Sequence, residues 1–565
     1  MKRKLLWAIL ILGFLLRIIW IDKVPNGFTP DEASFGYDAF SILKTGKDQW
    51  GHSFPLVLES FGDFKPPLYS YILTPFVWLF GLERWVVRLP NALFGVMAIY
   101  VTYLLAKELL SGKFTRIKEQ INTDLMALIA AFLLAISPWH IMMSRGAFEA
   151  NLTTFFLPLG IYLFLRGLKK EKYLIYSSVI FGLNLFSYHS AKLVTPIVVV
   201  MLVLIYWRDI AGLGLKRLVK PAIVFCFFIC LMAYTFSQGA GARVLDVNIF
   251  NNSVQAAGHE RTIAIQGGMN PTLARLFHNK YQYAVRNLST SYFQYLSPKF
   301  FFTHGPGEAT YGMMPGRGVL YWFELSLILG FFIYLVRNWK EKVSKILVAW
   351  ILIAPIPAAM AIGPGYSANR AVIMLPAIQI ACAIGFFALF KLVRKKSKRV
   401  FVKPIIFGYM IISLFFFFAF VEDYYFRSPV KNAKTMLYGN LEASYWISEN
   451  VPAEDVYVSR SLSEPHIYIA FANKVDPKIF QRATKSWKYS ERGFGWVDQI
   501  PQYSLANFTF KNIHVEEYLD KSGVYLVGRP DEFPEDIKPL KIFNYPDGDP
   551  AIYIVKTESN IFAQK

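Results

Sequence analysis

Long apolar runs separated by short basic segments dominate the first 420 residues of the chain. Runs such as LLWAILILGFLLRIIWI and PIIFGYMIISLFFFFAF are long enough to cross a bilayer as single helices. The pattern therefore predicts an α-helical polytopic membrane protein. Its eleven predicted spans lie at about residues 5–21, 86–107, 124–141, 152–166, 174–188, 193–207, 221–237, 319–336, 346–362, 371–391 and 404–421.

One further apolar segment, PPLYSYILTPFVWLFG at residues 66–81, is short and contains three prolines. If it lies in the membrane interface, the basic short loops all fall on the side of Lys2, Arg3 and Lys4. Because basic loops stay in the cytoplasm, this arrangement predicts a cytoplasmic N-terminus. We therefore predict that 66–81 is interfacial or re-entrant, and that loops 22–85 and 238–318 are extracytoplasmic.

The pattern changes after residue 423. EASYWISENVP is typical of a helix, DVYVSR, GVYLVG and AIYIVK are typical of strands, and YPDGDP is typical of a turn. Residues 424–565 are therefore predicted to form an extracytoplasmic soluble α/β domain. Residues 1–423 would form the transmembrane module, with the two long outer loops.

Composition supports a membrane protein and narrows its chemistry. The chain is 54% hydrophobic and only 18% charged, which is too apolar for a soluble protein of 565 residues. The net charge of +21 resides mostly in short loops between spans, so nucleic acid is not an expected partner. The three cysteines lie in apolar runs, and neither disulfides nor a zinc site are expected. No G-x-x-x-x-G-K-[ST] motif occurs, which argues against ATP-driven transport.

The stretch TPDEASFGYDAFSILKTG, which follows the first span, carries two adjacent carboxylates, Asp31 and Glu32. Thr29 as N-cap with Glu32 three residues later is a capping box, and Pro30 suits the first helical position. A helix from residue 30 to about 44, ended by Gly46, is predicted. The acids then have a structural explanation in capping and a functional one as catalytic carboxylates. Asp31 and Glu32 are our catalytic candidates.

Other polar residues flank or enter the spans on the predicted outer side, where ionisable groups are costly. A carboxylate can take a proton from a hydroxyl, and Lys or Arg can hold a phosphate. Each residue also has a simpler explanation, such as snorkelling, a solvated loop or an aromatic belt. The candidate substrate- and phosphate-binding residues are Asp63, Glu149, Tyr188, His189, Lys192 and Arg370, with Lys65 as a further charge nearby.

The order and spacing of TPDEASFGYDAFSILKTG, FGDFKPPLYSYILTPFVWLFGLERWVVRLPNALFG, SPWHIMMSRGAFEANLTTFFLPLG and SANRAVIMLPAIQIACAIG resemble the GT-C superfamily of membrane glycosyltransferases. The resemblance covers roughly residues 1–420 and is closest to the protein mannosyltransferase and aminoarabinose transferase branch. It implies transfer of a sugar from a polyprenyl phosphate to a glycan, lipid or protein acceptor at the outer face of a prokaryotic plasma membrane, as part of the cell envelope.

The resemblance also implies roles for individual residues. The carboxylate at Asp31 corresponds to the expected general base, and Lys192 and Arg370 resemble phosphate-contacting residues. Glu149 stands where many relatives have Asp. Some relatives use a divalent metal, and no ligands for one can be assigned here.

Three alternatives remain open at this point. An oligosaccharide ligase or polymerase with a diphosphate-linked donor would share the architecture. A transporter or flippase of lipid-linked sugars would also place mixed charges in a membrane. A non-catalytic surface scaffold whose tail binds glycan is the third.

Overall fold

A computed structural model describes residues 2–111, 123–240, 249–361, 365–396, 399–451, 455–518 and 521–557. Helices predominate up to residue 431. A mixed sheet follows in the C-terminal region predicted to begin at residue 424, which we call the tail. The helices of the first half are α1 (Lys2–Ile18), α2 (Pro30–Thr45), α3 (Leu68–Phe80), α4 (Arg84–Leu109), α5 (Thr123–Ile136), α6 (Pro138–Met143), α7 (Thr153–Gly167), α8 (Lys172–Leu185), α9 (His189–Ile205), α10 (Trp207–Ala211) and α11 (Leu215–Thr235).

The second half of the membrane module continues in the same way. Its helices are α12 (Ile249–Gln266), α13 (Pro271–Phe277), α14 (Lys280–Tyr295), α15 (Trp322–Asn338), α16 (Lys342–Ile353), α17 (Ile356–Ala359), α18 (Ala368–Ala371), α19 (Ala377–Lys396), α20 (Arg399–Glu422) and α21 (Ser428–Lys431).

Every predicted span coincides with one of these helices or with two consecutive ones. Within the described residues, five helical runs are long and apolar enough to cross a membrane: Arg84–Leu109, Leu215–Gln238, Lys342–Ala359, Ala377–Arg394 and Val402–Lys431. Side chains such as Phe227 and Phe415 on these helices are mostly exposed, as expected for a lipid-facing surface. The number of crossings stays a prediction.

The segment after α11 differs in detail from its sequence pattern. LARLFHNKYQYAVRNL suggests one amphipathic helix, whereas the structure has α13 and α14 with a break at His278 and Asn279. The Asn279 side chain accepts hydrogen bonds from the N–H groups of Tyr281 and Gln282 at 3.1 and 3.0 Å. Asn279 therefore starts a new helix, because its amide caps the exposed backbone donors.

The tail has the predicted α/β character. Its helices are α22 (Asn440–Asn450), α23 (Pro465–Ala472) and α24 (Pro477–Trp487). The hairpin β1 (Leu58–Glu59) and β2 (Phe64–Lys65) lies between α2 and α3. The tail strands are β3 (Val456–Val458), β4 (Gln502–Leu505), β5 (Phe508–Lys511), β6 (Tyr525–Gly528), β7 (Lys541–Asn544) and β8 (Pro550–Lys556). The order in the six-stranded sheet is β4-β5-β3-β6-β8-β7. β3 is parallel to both of its neighbours, and the remaining pairs are antiparallel.

The tail packs directly on α2, the helix that carries the two candidate acids. The Tyr468 hydroxyl donates to the Phe28 carbonyl at 2.7 Å, and the Tyr37 hydroxyl donates to the Val475 carbonyl at 2.8 Å. Apolar side chains of α2, α3 and the tail form one continuous buried cluster. The tail and the region of α2 and α3 are therefore parts of the same packed body.

Candidate functional site

Asp31 lies at the rigid beginning of α2. The Thr29 hydroxyl accepts a hydrogen bond from the Glu32 N–H at 3.2 Å, and the Glu32 carboxylate accepts one from the Thr29 N–H at 3.2 Å. Gly46, with φ +70°, ends the helix in the left-handed conformation. The predicted capping box and helix are confirmed. The Asp31 side chain remains 33% exposed at this fixed position.

Glu32, the next residue, is completely buried. Its carboxylate accepts hydrogen bonds from Arg88 Nε and Nη2 at 2.8 and 3.1 Å, and from the Ala147 N–H at 3.0 Å. Charge-assisted bonds of this kind are the strong ones in a protein interior. Because Glu32 has no exposed surface, this geometry favours a positioning role over the predicted catalytic one.

Two buried guanidinium groups, Arg88 and Arg145, hold the segment that joins α1 to α2. Both side chains are fully buried, and each donates to three backbone carbonyls of this segment or of the end of α1. The acceptors are Ile21, Pro25 and Gly27 for Arg88, and Leu16, Ile19 and Val24 for Arg145. The chain that leads to Asp31 is thereby fixed from both sides.

Lys65 reaches Asp31 from the β1–β2 hairpin. The hairpin pairs Leu58 with Lys65, and its turn is closed by the Ser60 N–H, which donates to the Asp63 carbonyl at 2.8 Å. Lys65 Nζ lies 2.6 Å from Asp31 Oδ1, and the Lys65 side chain is only 3% exposed. The ammonium also sits over the Phe35 and Phe61 rings, 5.0 and 4.7 Å from their centroids. A buried cation thus holds the half-exposed carboxylate in one orientation.

Glu149 and Asp63 share this electrostatic environment. Burial, followed by the negative charges of Asp31 and Asp63, raises the pKa of Glu149 to about 8, and the positive charge of Lys65 opposes the rise. Asp63 itself is buried, with 4% of its surface exposed. The structure therefore brings together four of the charged residues singled out in the sequence, three acids and one lysine.

The basic candidates Lys192 and Arg370 lie on α9 and α18, two elements that are joined by hydrogen bonds. The Ser190 hydroxyl donates to the Arg370 carbonyl at 2.9 Å, and Asn369 Nδ2 donates to the Tyr188 hydroxyl at 3.2 Å. These bonds join the start of α9 to α18. Tyr188 and the adjacent His189 are in edge-to-face contact, at 6.1 Å between ring centroids.

Lys192 and Arg370 are both partly exposed on these two elements. Lys192 Nζ lies 5.6 Å from the centroid of the Phe236 ring. The short helical turn Glu149–Leu152 packs against α18, so the basic candidates adjoin the element that carries Glu149. Their contact with a common substrate remains a prediction.

The side chains around Asp31 do not form a set of ligands that fits a resident divalent metal. Within the described residues, no group of three or more His, Cys, Asp or Glu side chains is arranged to hold a metal ion. An ammonium, Lys65 Nζ, lies directly beside the Asp31 carboxylate. The metal therefore stays a prediction from the resemblance alone.

Arg88 is the important residue that the sequence reasoning did not weigh. It stands inside an apolar run at the start of a predicted span, and an ionisable group in such a place is a default candidate for function or for a buried partner. That signal was available in the sequence, whereas its partner Glu32 could not be identified at a separation of 56 residues.

Comparisons with known proteins agree with this architecture. Residues 64–234 match the dolichyl-phosphate-mannose-protein mannosyltransferase family. YycA of Bacillus subtilis (strain 168), which carries a provisional mannosyltransferase name, is 31% identical over 108 residues. That stretch is 19% of this chain and covers only 14% of the length of YycA.

The likeness to a solved structure extends over the whole chain. The oligosaccharyltransferase AglB from Archaeoglobus fulgidus, in complex with an inhibitory peptide and dolichol-phosphate, matches with a TM-score of 0.51 and 14% identity. The match covers 100% of this chain and 75% of AglB. The same oligosaccharyltransferase tethered to an acceptor peptide with the NVT sequon matches with a TM-score of 0.52 and 13% identity, again over 100% and 75%. Residues 64–234 are therefore similar to the mannosyltransferase family, and the fold of the whole chain is similar to that of AglB.

Proposed function

We propose that this protein transfers a sugar from a polyprenyl-phosphate donor to an acceptor at the outer face of the plasma membrane, with Asp31 as the general base. The observation that carries the proposal is the geometry at Asp31. A partly exposed carboxylate is fixed at a helix start and held 2.6 Å from the buried ammonium of Lys65. Support for a lipid-linked donor comes from the matched family and from AglB, whose solved structure contains dolichol-phosphate.

In the proposed reaction, Asp31 takes the proton from an acceptor hydroxyl. The acceptor oxygen forms a bond to the anomeric carbon while the bond from that carbon to the phosphate oxygen breaks. The phosphate leaves with the electron pair, and the anomeric configuration is inverted. General-base catalysis of this kind contributes about 10²- to 10⁴-fold to the rate.

The neighbouring groups have distinct supporting roles in this proposal. Glu32 and Arg88 position the start of α2, since neither has exposed surface. With a pKa of about 8, Glu149 carries a proton at neutral pH and can donate a hydrogen bond to substrate without adding a second negative charge. Asp63 closes the hairpin turn that presents Lys65.

The donor phosphate would be held by Lys192 and Arg370. Arg can make two parallel hydrogen bonds to a phosphate, and Lys provides a compact positive charge. Tyr188 and His189 would then line the approach, because Tyr188 is bonded to the residue that precedes Arg370. These positive charges would stabilise the negative charge that develops on the leaving phosphate, which a general base does not do.

The proposed orientation places the N-terminus in the cytoplasm and the tail outside. It follows from the excess of Lys and Arg in the short loops on one side of the membrane. The apolar exposed surfaces of α11 and α20 support a multi-pass protein that faces lipid. Glycan, lipid and protein acceptors all remain compatible with this placement.

The test is Asp31→Asn in the full chain reconstituted in nanodiscs, with undecaprenyl-phosphate-mannose as the donor. Transfer and donor cleavage should fall by about 10²- to 10⁴-fold, with thermal stability close to wild type. Asp22→Asn is the matched control, because Asp22 is also a half-exposed aspartate in an ion pair, at 2.9 Å from Arg84. Near-normal turnover by Asp31→Asn would remove the base assignment.

The same preparation separates the rival functions. Turnover of an undecaprenyl-diphosphate-linked donor in preference to the monophosphate would indicate an oligosaccharide ligase or polymerase. Movement of the labelled lipid across liposome membranes without any change in its mass would indicate a flippase.

A further inference from the structure

The tail domain forms one wall of the Asp31 site. The Val497 N–H donates to the Phe61 carbonyl at 3.0 Å, and the Trp496 ring stacks on the Phe61 ring at 6.1 Å between centroids. Lys65 Nζ lies over the same Phe61 ring. A Cβ on Gly62 would lie 2.2 Å from the Gly495 carbonyl oxygen, so the two loops are in direct contact. The tail loop around Val497 therefore packs on the hairpin loop that leads to Lys65, the ion-pair partner of the proposed base.

Glu464 is a buried tail residue with an unsatisfied carboxyl oxygen. It is 4% exposed, and its Oε2 atom has no hydrogen-bond partner within the described part of the chain. The nearest polar atom in an ion-pair geometry is His466 Nδ1, at 3.6 Å, which is too far for a hydrogen bond. Burial lowers the pKa of His466 to about 3, so this imidazole is neutral and does not compensate a carboxylate.

The same residue belongs electrostatically to the catalytic cluster. Burial and the charge of Asp498 raise the pKa of Glu464 well above its usual value, Lys65 opposes the rise, and Asp31 adds to it. Asp498 directly follows Val497, the residue bonded to Phe61. Glu464 is thus a buried carboxyl that hydrogen-bonds with Asp498, leaves Oε2 without a partner within the described residues, and interacts electrostatically with both Asp31 and Lys65. Buried polar atoms are normally hydrogen-bonded, and an exception calls for an explanation.

We propose that Glu464 is a specificity-determining residue which hydrogen-bonds a hydroxyl of a saccharide acceptor, beside the hydroxyl that Asp31 deprotonates. This inference rests on the proposed transferase function. It also gives the tail a direct place in the site, because the hydrogen bond comes from a side chain of the tail.

The chemistry of the wall favours the acceptor over the donor phosphate. Glu464 and Asp498 offer no positive charge to a phosphate, whereas carboxyl groups both accept hydrogen bonds from hydroxyls and, when protonated, donate to them. A sugar ring presents several adjacent hydroxyls, so one can meet Asp31 while the next meets Glu464. A serine or threonine side chain presents one. The Trp496 side chain, 38% exposed beside this wall, offers a flat apolar face for the C–H side of a sugar ring.

The experiment uses the full chain in nanodiscs with undecaprenyl-phosphate-mannose as the donor. Octyl α-mannoside and a Ser/Thr-containing hexapeptide serve as the acceptor probes. Glu464→Ala should raise KM for octyl mannoside about 10-fold through the lost hydrogen bond, with a much smaller change in KM for the donor. Glu464→Gln, which keeps the shape and the hydrogen-bonding atoms, should fall between Glu464→Ala and wild type.

The matched control is Glu491→Gln, an exposed tail glutamate paired with Lys488 at the surface. It should leave both KM values unchanged. Equal increases in KM for octyl mannoside and in KM for the donor in Glu464→Ala would mean a purely structural role and would overturn the inference. So would preference of the wild type for the peptide, or donor cleavage without transfer to either probe. If the wild type fails to cleave the donor at all, the proposed transferase function itself is wrong, and this inference falls with it.

Discussion

Replacing Glu32 by glutamine tests whether the second acid of the pair positions the site or performs the chemistry. In the folded protein its carboxylate receives two bonds from Arg88, one from the Ala147 N–H and one from the Thr29 N–H. Glutamine keeps one acceptor oxygen but turns the other into a donor that faces these donors. Arg88 is then left as a buried charge without a carboxylate. Breaking a buried ion pair from one side costs about 3–5 kcal/mol.

The assay is thermal unfolding of purified Glu32→Gln in detergent, alongside the turnover of the fraction that remains folded. We expect the melting temperature to fall by several degrees. Turnover per folded molecule should fall much less than in Asp31→Asn. Glu83→Gln is the control, because Glu83 pairs with Lys474 at 3.1 Å on an exposed surface, where an ion pair contributes about 0–1 kcal/mol.

Two outcomes would refute this reasoning. A Glu32→Gln protein with unchanged stability would show that the Arg88 pair does not hold the start of α2. A stable protein with turnover as low as that of Asp31→Asn would make Glu32 a catalytic group. The double variant Glu32→Leu/Arg88→Met should recover only part of the lost stability, since Arg88 also serves three backbone carbonyls.

Two further predictions concern the pH dependence of stability and the docking of the tail. The pKa of Glu149 is raised from 4.5 to about 8, so between these pH values the unfolded chain has lost this proton while the folded chain still holds it, and the wild type loses stability as the pH rises. Glu149→Gln should therefore show a flatter curve of melting temperature against pH. Parallel curves for the two proteins would contradict the raised pKa. A Cβ on Gly36 would lie 2.6 Å from Phe471 and 2.8 Å from Val87, so Gly36→Val should push the tail off α2 and speed its release by limited proteolysis. Gly408→Ala, where a Cβ meets nothing within 4 Å, should be cleaved at the wild-type rate, and equal cleavage of both variants would contradict the packing argument.

Local signals in the sequence were sufficient for the parts of the fold that depend on neighbours in the chain. The capping box of α2, its end at Gly46 and the positions of the apolar helices follow from residues a few positions apart. Three of the six tail strands, β3, β6 and β8, likewise follow from short runs of β-branched and aromatic residues, whereas β4, β5 and β7 were not predicted. Where a local feature was overlooked, as at Asn279, the prediction of one amphipathic helix was wrong, because a side-chain cap divides it.

The parts of the site that depend on distant partners could not be predicted. Asp31 and Glu32 are adjacent and chemically alike, yet one is partly exposed and the other is enclosed with Arg88. Their difference arises from the helix geometry together with residues 56 positions away. Glu464 has no motif around it, and its electrostatic interaction with Lys65 follows only from the docking of the tail on the hairpin loop.

The central claim is that a lipid phosphate and the Asp31 carboxylate meet in one cavity. A cryo-EM map of the protein in nanodiscs with undecaprenyl phosphate tests it most directly. The account predicts phosphate density in contact with Lys192 or Arg370, with the open space between it and Asp31 large enough for one sugar. Phosphate density on the opposite side of the membrane from Asp31, or separated from it by packed helices, would contradict the account.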